Sequence, residues 1–361
     1  MSSSPLVSVE KTTDAIPGRY IVTFKDSVGH LDGVSSVTSK IAPQSNVTHQ
    51  WGFINGLAGT FTDADLELLR SNPNVASIEE DGYVYTQDIS TQTNATWGLG
   101  RISSQTSLAG QDPNALTFTY KYDSTAGAGT DVYIIGTISQ GRASWGATFH
   151  GTHCAGTAVS GPYGVAKAAN VIAVKVLSDS GKGRRSDIIS GINWVADAAT
   201  TSGRPSVASM SLGGGFSSAL NTAANNLVAS GVTTVVAAGN KNADAANTSP
   251  ASASSVIAVG SSDIDDAKAS SSNYGAVLGI WAPGVKITST WKDGGIKTKS
   301  GTSMATPHVA GFSAYLLGMD PTLTPARVKS TIQSLALKDV LIGIPEGTIN
   351  ALLNNDLGGR S

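Results

Sequence analysis

The chain has 361 residues, enough for one large domain together with a small one, or for two domains of ordinary size. Apolar residues make up 40% and charged residues 14%, which indicates a globular protein with a sizeable core. The 24 basic residues nearly balance the 26 acidic ones, and no apolar run approaches the roughly 18 residues of a transmembrane helix. We therefore expect neither nucleic acid nor a membrane as a partner.

The first residues and the single cysteine bear on where the protein is located. Residues 1–16 lack the positive region and the apolar core of a signal peptide, so we expect a leader without one. Either the protein stays inside the cell, or the sequence begins downstream of the true start. Cys154 is the only cysteine, so no intramolecular disulfide can form. We expect its thiol to be a small buried apolar group and not a nucleophile.

Residues 17–88 are predicted to form a small α+β domain. The sequences GRYIVTFK, GLAGTFT and NVASIEED predict three strands. Before the last strand, Thr62 is placed to cap a helix over TDADLELLRSN, and Asp65 follows three residues later. Residues 89–96 follow as a polar linker without apolar periodicity, where we expect a proteolytic processing site.

From Trp97 to the end of the chain, short apolar runs alternate with helical segments. The runs DVYIIG, NVIAVKVL, VASMSLG, TTVVAAGN and SVIAVG are typical of central strands in a parallel sheet. The helical segments are SDIISGINWVADAA, SSALNTAANNLVASG and TSMATPHVAGFSAYLLGM. The alternation predicts an α/β fold with a doubly wound parallel sheet and a site at the carboxyl ends of its strands. No glycine-rich phosphate loop follows these strands, which excludes the nucleotide-binding form of the fold.

Three short motifs carry side chains suited to acyl transfer. Ser303 in SGTSMATPHVAG begins a predicted helix, whose free amides and dipole would stabilise an oxyanion. An isolated serine there is usually a simple N-cap, but the surrounding string is specific. His150 in HGTHCAGT is the favoured base because it alone precedes such a helix start, and Asn240 in AAGN supplies an amide. The other histidines, which are alternatives, are His30, His49, His153 and His308.

These motifs, together with SMSLGGG, resemble those of the subtilisin-like serine proteases, specifically the fungal proteinase K-like branch. The resemblance covers nearly the whole chain and implies an endopeptidase that cleaves polypeptides through an acyl-enzyme. It implies Ser303 as nucleophile, His150 as general base and Asn240 as oxyanion donor. The substrate-binding backbone that it implies, which would pair with the peptide as added strands, is that of Gly181, Ser211, Leu212 and Gly213.

The resemblance also extends to the N-terminal domain. Residues 17–88 resemble the inhibitor-type propeptide of these enzymes, a ferredoxin-like domain that assists folding and then blocks the cleft. Residues 97–361 would be the peptidase domain, a monomer with its own propeptide as intramolecular inhibitor. The branch implies an extracellular enzyme, and intracellular retention is the alternative because no signal peptide is present in the sequence.

The chain departs from the family at the triad acid. An aspartate is expected at the end of the DVYIIG strand, and Gly136 stands there. Family members separate this aspartate from the histidine by about 30 residues, and the connection from Gly136 to His150 is about half as long. Asp131 begins the same strand, roughly 16 Å back, and cannot replace it. Thr137 or Ser139 would be a weak substitute that hydrogen-bonds the imidazole.

A second carboxylate of the family is also replaced. The calcium-binding aspartate aligns with Gly279 in VLGIWAPG, so we expect no calcium there and no other cofactor. In subtilisin, loss of the triad acid lowers kcat by about 3 × 10⁴. Two hypotheses therefore remain: a serine endopeptidase with strongly impaired activity, or a non-catalytic pseudoprotease that binds peptides in the retained cleft. The first includes the case in which the connecting segment is missing only from this sequence.

Overall fold

The structure is a computed structural model that describes residues 6–12, 15–82, 89–137 and 149–357. Its contacts divide the chain into two units, residues 1–86 and 87–361. Ser139, named above as a weak substitute for the triad acid, lies outside the described residues.

The first unit is a five-stranded sheet with two helices. Its elements are β1 (Val9–Glu10), β2 (Ala15–Phe24), α1 (His30–Thr38), β3 (Asn46–Trp51), β4 (Gly56–Thr60), α2 (Asp63–Ser71) and β5 (Val75–Gly82). The strand order is β1-β5-β2-β4-β3, and only β1 pairs in parallel. The βαββαβ succession from β2 to β5, with this order, is the ferredoxin-like arrangement that the resemblance implied. As predicted, Thr62 caps α2, because its Oγ1 accepts from the Asp65 N–H at 3.2 Å.

The second unit contains six helices among its described residues. They are α3 (Trp97–Ile102), α4 (His150–Val159), α5 (Arg185–Ser202), α6 (Ser218–Ala229), α7 (Thr302–Met319) and α8 (Pro325–Leu335). The first strands are β6 (Ile89–Ala95), β7 (Phe118–Asp123), β8 (Asp131–Gly136), β9 (Asn170–Lys175), β10 (Ser206–Met210), β11 (Gly214–Gly215) and β12 (Thr233–Ala237). The remaining strands are β13 (Thr248–Ser249), β14 (Ile257–Ser262), β15 (Leu278–Pro283), β16 (Ile287–Thr290), β17 (Ile296–Lys299), β18 (Leu337–Lys338) and β19 (Ala351–Leu352).

An eight-stranded sheet organises this unit, in the order β18-β19-β15-β14-β12-β10-β8-β9. All neighbours are parallel except β18 and β19. The predicted doubly wound parallel sheet is confirmed. The prediction that NVIAVKVL is a central strand is wrong, because β9 lies at the end of the described sheet and exposes Asn170 and Val171. It contacts both α4 and α5.

The segment expected to be an irregular linker is mostly a strand. Residues 89–95 form β6, which pairs antiparallel with β7 in a two-stranded ribbon. Backbone pairing, which polar side chains do not prevent, explains why apolar periodicity failed to show it. The expected processing site stays a prediction, and residues 83–88, which precede this segment, lie outside the described part of the chain.

The order of the strands determines where a site can form. From β8 the chain moves outward to β9 and then returns to β10 on the other side of β8. The carboxyl end of β8 is therefore the point at which strand order reverses, where open α/β sheets bind ligands. Thr137, directly after β8, and the segments that follow β10 and β12 meet at this edge.

Helix α7 runs through the core of the unit and packs against β10, β12, β14 and β15. It is apolar around its whole circumference and almost fully buried, as expected for a helix covered on all sides. Among the described residues, no helix has both the length and the apolarity to cross a membrane.

A buried ion pair fixes α3 to the loop after β14. Arg101 Nε and Nη2 donate to the two carboxylate oxygens of Asp266 at 2.7 and 3.1 Å. Only 1% and 7% of these two side chains are exposed, so each charge depends on the other.

We expect the Asp266→Asn variant to lower the free energy of unfolding by about 3 kcal/mol, because it leaves the Arg101 charge buried and unpaired. Thermal or denaturant unfolding measures this loss. The matched control is Asp179→Asn, which removes a half-exposed partner of Lys175 and should cost less than about 1 kcal/mol. Equal losses in the two variants would contradict the prediction.

Candidate active site

A cavity of about 930 Å³ lies at the carboxyl ends of β8, β10 and β12. The three predicted catalytic residues, His150, Asn240 and Ser303, all line it. So do the four predicted substrate-binding residues, Gly181, Ser211, Leu212 and Gly213. The structure thus brings together residues that are far apart in the sequence, and their individual roles stay predictions.

Ser303 lies in the first turn of α7, and hydrogen bonds to its backbone carbonyl fix its position. Pro307 has no N–H, so this carbonyl lacks the hydrogen bond that residue i+4 normally donates in a helix. Two side chains replace it: Ser211 Oγ donates to the carbonyl at 2.8 Å, and Cys154 Sγ donates at 3.4 Å. Ser303 Oγ donates in turn to the Ser211 carbonyl at 3.4 Å. The serine is therefore tied to the end of β10 and to α4.

The amide of Asn240 is oriented by Thr302. The N–H and the hydroxyl of Thr302 donate to Asn240 Oδ1 at 2.9 and 3.2 Å. Because a backbone N–H can only donate, the oxygen of the amide is identified, and Nδ2 remains as the donor of this cavity-lining side chain. Gly301 permits this approach, since its φ is 142° and a Cβ there would lie 3.3 Å from Asn240 Oδ1.

The backbone N–H of Ser303 is a second donor at this wall of the cavity. The neighbouring N–H groups of Thr302 and Met304 have acceptors, but none is found for Ser303 N among the described residues. A free N–H at a helix N-terminus is suited to stabilising a developing oxyanion.

His150 opens α4 and is half-buried. Burial, the charge of Lys299 and the imidazole of His153 lower its pKa to about 4. Both of these titratable neighbours disfavour the charged form, so the imidazole is neutral at pH 7 and able to accept a proton. Its Nδ1 lies 3.8 Å from Cys154 Sγ, which is a weak hydrogen-bonding partner.

The acids and hydroxyls that could replace the triad aspartate lie elsewhere or have other partners. Thr137 Oγ1 accepts from the Gly151 N–H at 3.0 Å and so caps the first turn of α4. The described hydrogen bond of this hydroxyl is therefore to the helix and not to the His150 imidazole. Asp131 is buried at the start of β8, where Arg204 Nη2 lies 2.9 Å from its carboxylate. Asn170 also donates to it at 3.1 Å.

The other four histidines do not line the cavity. His153 is buried, and its Nε2 contacts two backbone carbonyls of the β16–β17 ribbon at 3.0 Å. His308 is buried in α7, with Nδ1 donating to a backbone carbonyl at 2.9 Å. Burial lowers the pKa of both imidazoles to about 4. His30 and His49 belong to the first unit.

Two further expectations were a buried, non-nucleophilic thiol at Cys154 and the absence of calcium at Gly279. Cys154 is fully buried, and burial raises the pKa of its thiol to about 12, which fits a packed side chain and not a nucleophile. Gly279 lies in β15, where its carbonyl accepts from Gln333 at 2.9 Å. The absence of calcium at this position stays a prediction. Within the described ranges, no group of three His, Cys, Asp or Glu side chains could hold a metal ion.

Comparison with known proteins establishes the family. A model of the Subtilase family matches residues 86–355, and a model of Peptidase inhibitor I9 matches residues 19–87. The chain belongs to the subtilase family. The resemblance and the fold class derived from the sequence are both confirmed.

Individual subtilases match over most of the chain. The cuticle-degrading protease of Metarhizium anisopliae is 45% identical, over 94% of this chain and 90% of that protein. Proteinase R of Parengyodontium album is 42% identical, over 99% and 94% of the two chains. The crystal structure of a cold-adapted subtilisin-like serine proteinase is 43% identical, with a TM-score of 0.64, and covers 72% of this chain and 98% of its own.

The sequence did not reveal three residues that shape this subtilase site. Thr302 orients Asn240, Pro307 frees the Ser303 carbonyl, and Lys299 lines the cavity beside His150. The proline was the only available signal, because its position four residues after Ser303 removes one helix hydrogen bond. The other two depend on contacts between distant segments.

The low pKa values of three imidazoles should make the stability of this subtilase depend on pH. The pKa values of His150, His153 and His308 are about 4 in the folded chain, below their ordinary value of 6.5. Between pH 6.5 and 4 the unfolded chain therefore binds more protons, so the free energy of unfolding falls as the pH falls. Each histidine contributes up to about 1.4 kcal/mol per pH unit.

The His308→Asn variant tests this dependence, because an amide can keep the donation to the backbone carbonyl without titrating. We expect a shallower dependence of the unfolding free energy on pH between 4 and 6.5, and equal dependence in both proteins above pH 7. Denaturant unfolding across this range measures the slopes. An unchanged slope in the acidic range would show that His308 carries its charge in the folded chain.

Proposed function

We propose that this subtilase is a serine endopeptidase by descent whose turnover is strongly impaired because its triad acid is absent. The observation that carries the proposal is the convergence of His150, Asn240 and Ser303 on one cavity, with Gly136 at the end of β8. The relatives named above are proteases, which supports the reaction class.

In this mechanism Ser303 Oγ attacks the peptide carbonyl while His150 takes its proton. Asn240 Nδ2 and the Ser303 N–H donate to the oxyanion that develops on the carbonyl oxygen. His150 then protonates the leaving amine as the peptide C–N bond breaks, which leaves an acyl-enzyme. Water attacks this ester with His150 again as base, releases the acid product and restores the Ser303 hydroxyl.

The imidazolium formed in the first step is where the missing acid matters. A triad aspartate holds the histidine tautomer and stabilises the imidazolium. Here the positive charge forms near Lys299, whose field opposes it. Removal of the acid from subtilisin costs about 3 × 10⁴ in kcat, about 6 kcal/mol of transition-state stabilisation.

Three features support a site without an acid. Gly136 has no side chain, and the sequence of residues 138–148 contains no Asp or Glu. Asp131 is held at the opposite end of β8 by Arg204 and Asn170. Wherever the connecting segment lies, it brings no carboxylate to His150.

The second candidate function is that of a pseudoprotease that binds peptides without cleaving them. The cavity and the backbone expected to bind substrate favour this candidate, because both are retained. The His150 imidazole, in contrast, has no acidic partner among the described residues. Sequencing of transcripts across Ile135 to Gly151 separates the two. A longer connection with an aspartate supports the endopeptidase, and its absence supports the binder.

The remaining properties follow from this proposal. We propose an extracellular monomer without bound calcium, in which residues 17–88 act as an intramolecular inhibitor of residues 97–361. The I9 match supports the inhibitor assignment.

We expect the Gly136→Asp variant to raise kcat/KM by about 10³-fold or more, because it restores a carboxylate beside the first turn of α4. Among the described residues, a Cβ at Gly136 meets no atom within 4 Å, so they leave room for a side chain there. Thr137, the next residue, already contacts Gly151 in that turn. Hydrolysis of a fluorogenic peptide measures the gain.

The matched control is Gly136→Asn, which has the same shape but no charge and should give no comparable gain. A second control, Ser303→Ala in the Gly136→Asp background, should abolish the activity. Equal rates for the Asp and Asn variants would contradict a role for the missing charge.

We also expect the purified full-length chain to stay joined to its first 88 residues, because self-processing needs the same impaired machinery. Mass spectrometry after days of incubation measures this. The Gly136→Asp variant should instead be cut within residues 86–96. Efficient cleavage of the unmodified chain would contradict the proposal of impaired turnover.

A further inference from the structure

Lysines and aromatic rings cluster beside His150, in what we call the basic-aromatic patch. Its members are Phe149, Trp291, Lys292, Lys297 and Lys299. The Trp291 ring lies 5.8 Å from the Phe149 ring, and Phe149 directly precedes His150. Lys297 and Lys299 lie 4.8 and 5.2 Å from the Trp291 ring centre, and Lys292 lies 5.9 Å from that of Phe149.

The patch carries an excess of positive charge. None of its three lysines forms an ion pair with a described residue. Asp293 is the only acid between Ile287 and Lys299, so the ribbon cannot neutralise itself. Aromatic faces attract these cations but leave their charge uncompensated, which makes the patch suited to a carboxylate.

The patch is held firmly against the candidate catalytic residues. Ser289 Oγ and Thr290 Oγ1 donate to carbonyls in the first turn of α4 at 3.0 and 2.9 Å, which joins the β16–β17 ribbon to the helix of His150. Lys299 ends β17, four residues before Ser303, and lines the same cavity. Its charge acts on the imidazole, since it contributes to the low pKa of His150.

The basic-aromatic patch lies next to His150, which in the proposed mechanism acts on the leaving-group side of the scissile bond. In the proposed mechanism the protonated histidine delivers its proton to the leaving amine, so groups around the imidazole border the leaving-group side. The Gly181 and Ser211 backbone edges, in contrast, are expected to pair with the acyl side of the peptide. Lys299 belongs to the imidazole side.

We infer that the basic-aromatic patch selects peptides with acidic side chains on the leaving-group side of the scissile bond, with Lys299 as the main determinant. This inference rests on the proposed function, because it requires that peptides occupy the cavity. It holds equally for cleavage and for binding alone. A carboxylate there would also offset the field of Lys299 at the imidazole.

Binding to the full chain in the Ser303→Ala background tests the inference without any need for turnover. Two fluorescent peptides share the acyl side and carry Glu-Glu or Gln-Gln directly after the scissile position. We expect the acidic peptide to bind about 5- to 10-fold more tightly at low salt, from one or two partly exposed ion pairs. Fluorescence anisotropy measures both affinities, and 0.5 M salt should remove most of the difference.

The added Lys299→Gln substitution should reduce this preference to about twofold or less. The matched control is Lys182→Gln, which removes a lysine lining the same cavity next to Gly181 and should leave the preference unchanged. Equal affinities, or a preference that survives Lys299→Gln, would overturn the inference.

A cleavage assay distinguishes failure of this inference from failure of the proposed function. The Gly136→Asp protein should cut the acidic peptide with a higher kcat/KM than the neutral one. Absence of cleavage alongside selective binding would contradict the endopeptidase and keep the inference. NMR titration adds an independent readout, since Lys299→Gln should raise the pKa of His150 by removing a positive charge.

Discussion

The site depends on a single missing hydrogen bond in α7. Because Pro307 cannot donate to the Ser303 carbonyl, that carbonyl accepts from Ser211 and Cys154 and so joins α7 to β10 and α4. The rest of α7 is apolar on all sides and fixed by burial, so its first turn supplies the polar groups that line the cavity. The same turn leaves the Ser303 N–H unpaired and uses Thr302 to orient Asn240. One helix end thus presents the Ser303 hydroxyl and N–H and orients Asn240, the groups to which the proposed mechanism assigns attack and oxyanion stabilisation.

The surroundings of His150 favour its neutral form, which accepts a proton, and oppose the imidazolium that results. Burial and Lys299 keep the imidazole neutral, which makes it available as a proton acceptor at pH 7. The same two factors disfavour the imidazolium that must form once the proton is accepted. A family aspartate resolves this conflict, since it stabilises the charged form at close range. In the proposed mechanism, with Gly136 in its place, the features that keep His150 neutral would also limit turnover.

Local sequence patterns predicted the elements that depend on local chemistry. Periodicity identified five strands and three helices of the second unit, and the Thr62 cap marked the start of α2. Periodicity did not show α1, β3 or β6, because these elements carry few apolar residues. It also did not show that β9 lies at the end of the described sheet, because strand order depends on pairing between distant segments. Motifs likewise named Ser303, His150 and Asn240, but they could not show that Thr137 caps α4.

The proposed mechanism lacks two separate functions of a triad aspartate, and a substrate could supply only one of them. A substrate carboxylate near Lys299 would supply negative charge close to the imidazolium. It would lie on the leaving-group side, where the proposed mechanism uses Nε2, and so could not hold the tautomer through Nδ1. The described partner of Nδ1 is Cys154 Sγ at 3.8 Å, whose S–H is already donated to the Ser303 carbonyl. Charge compensation by a substrate therefore improves binding more than turnover, and it favours a cleft that recognises acidic peptides but cleaves them slowly.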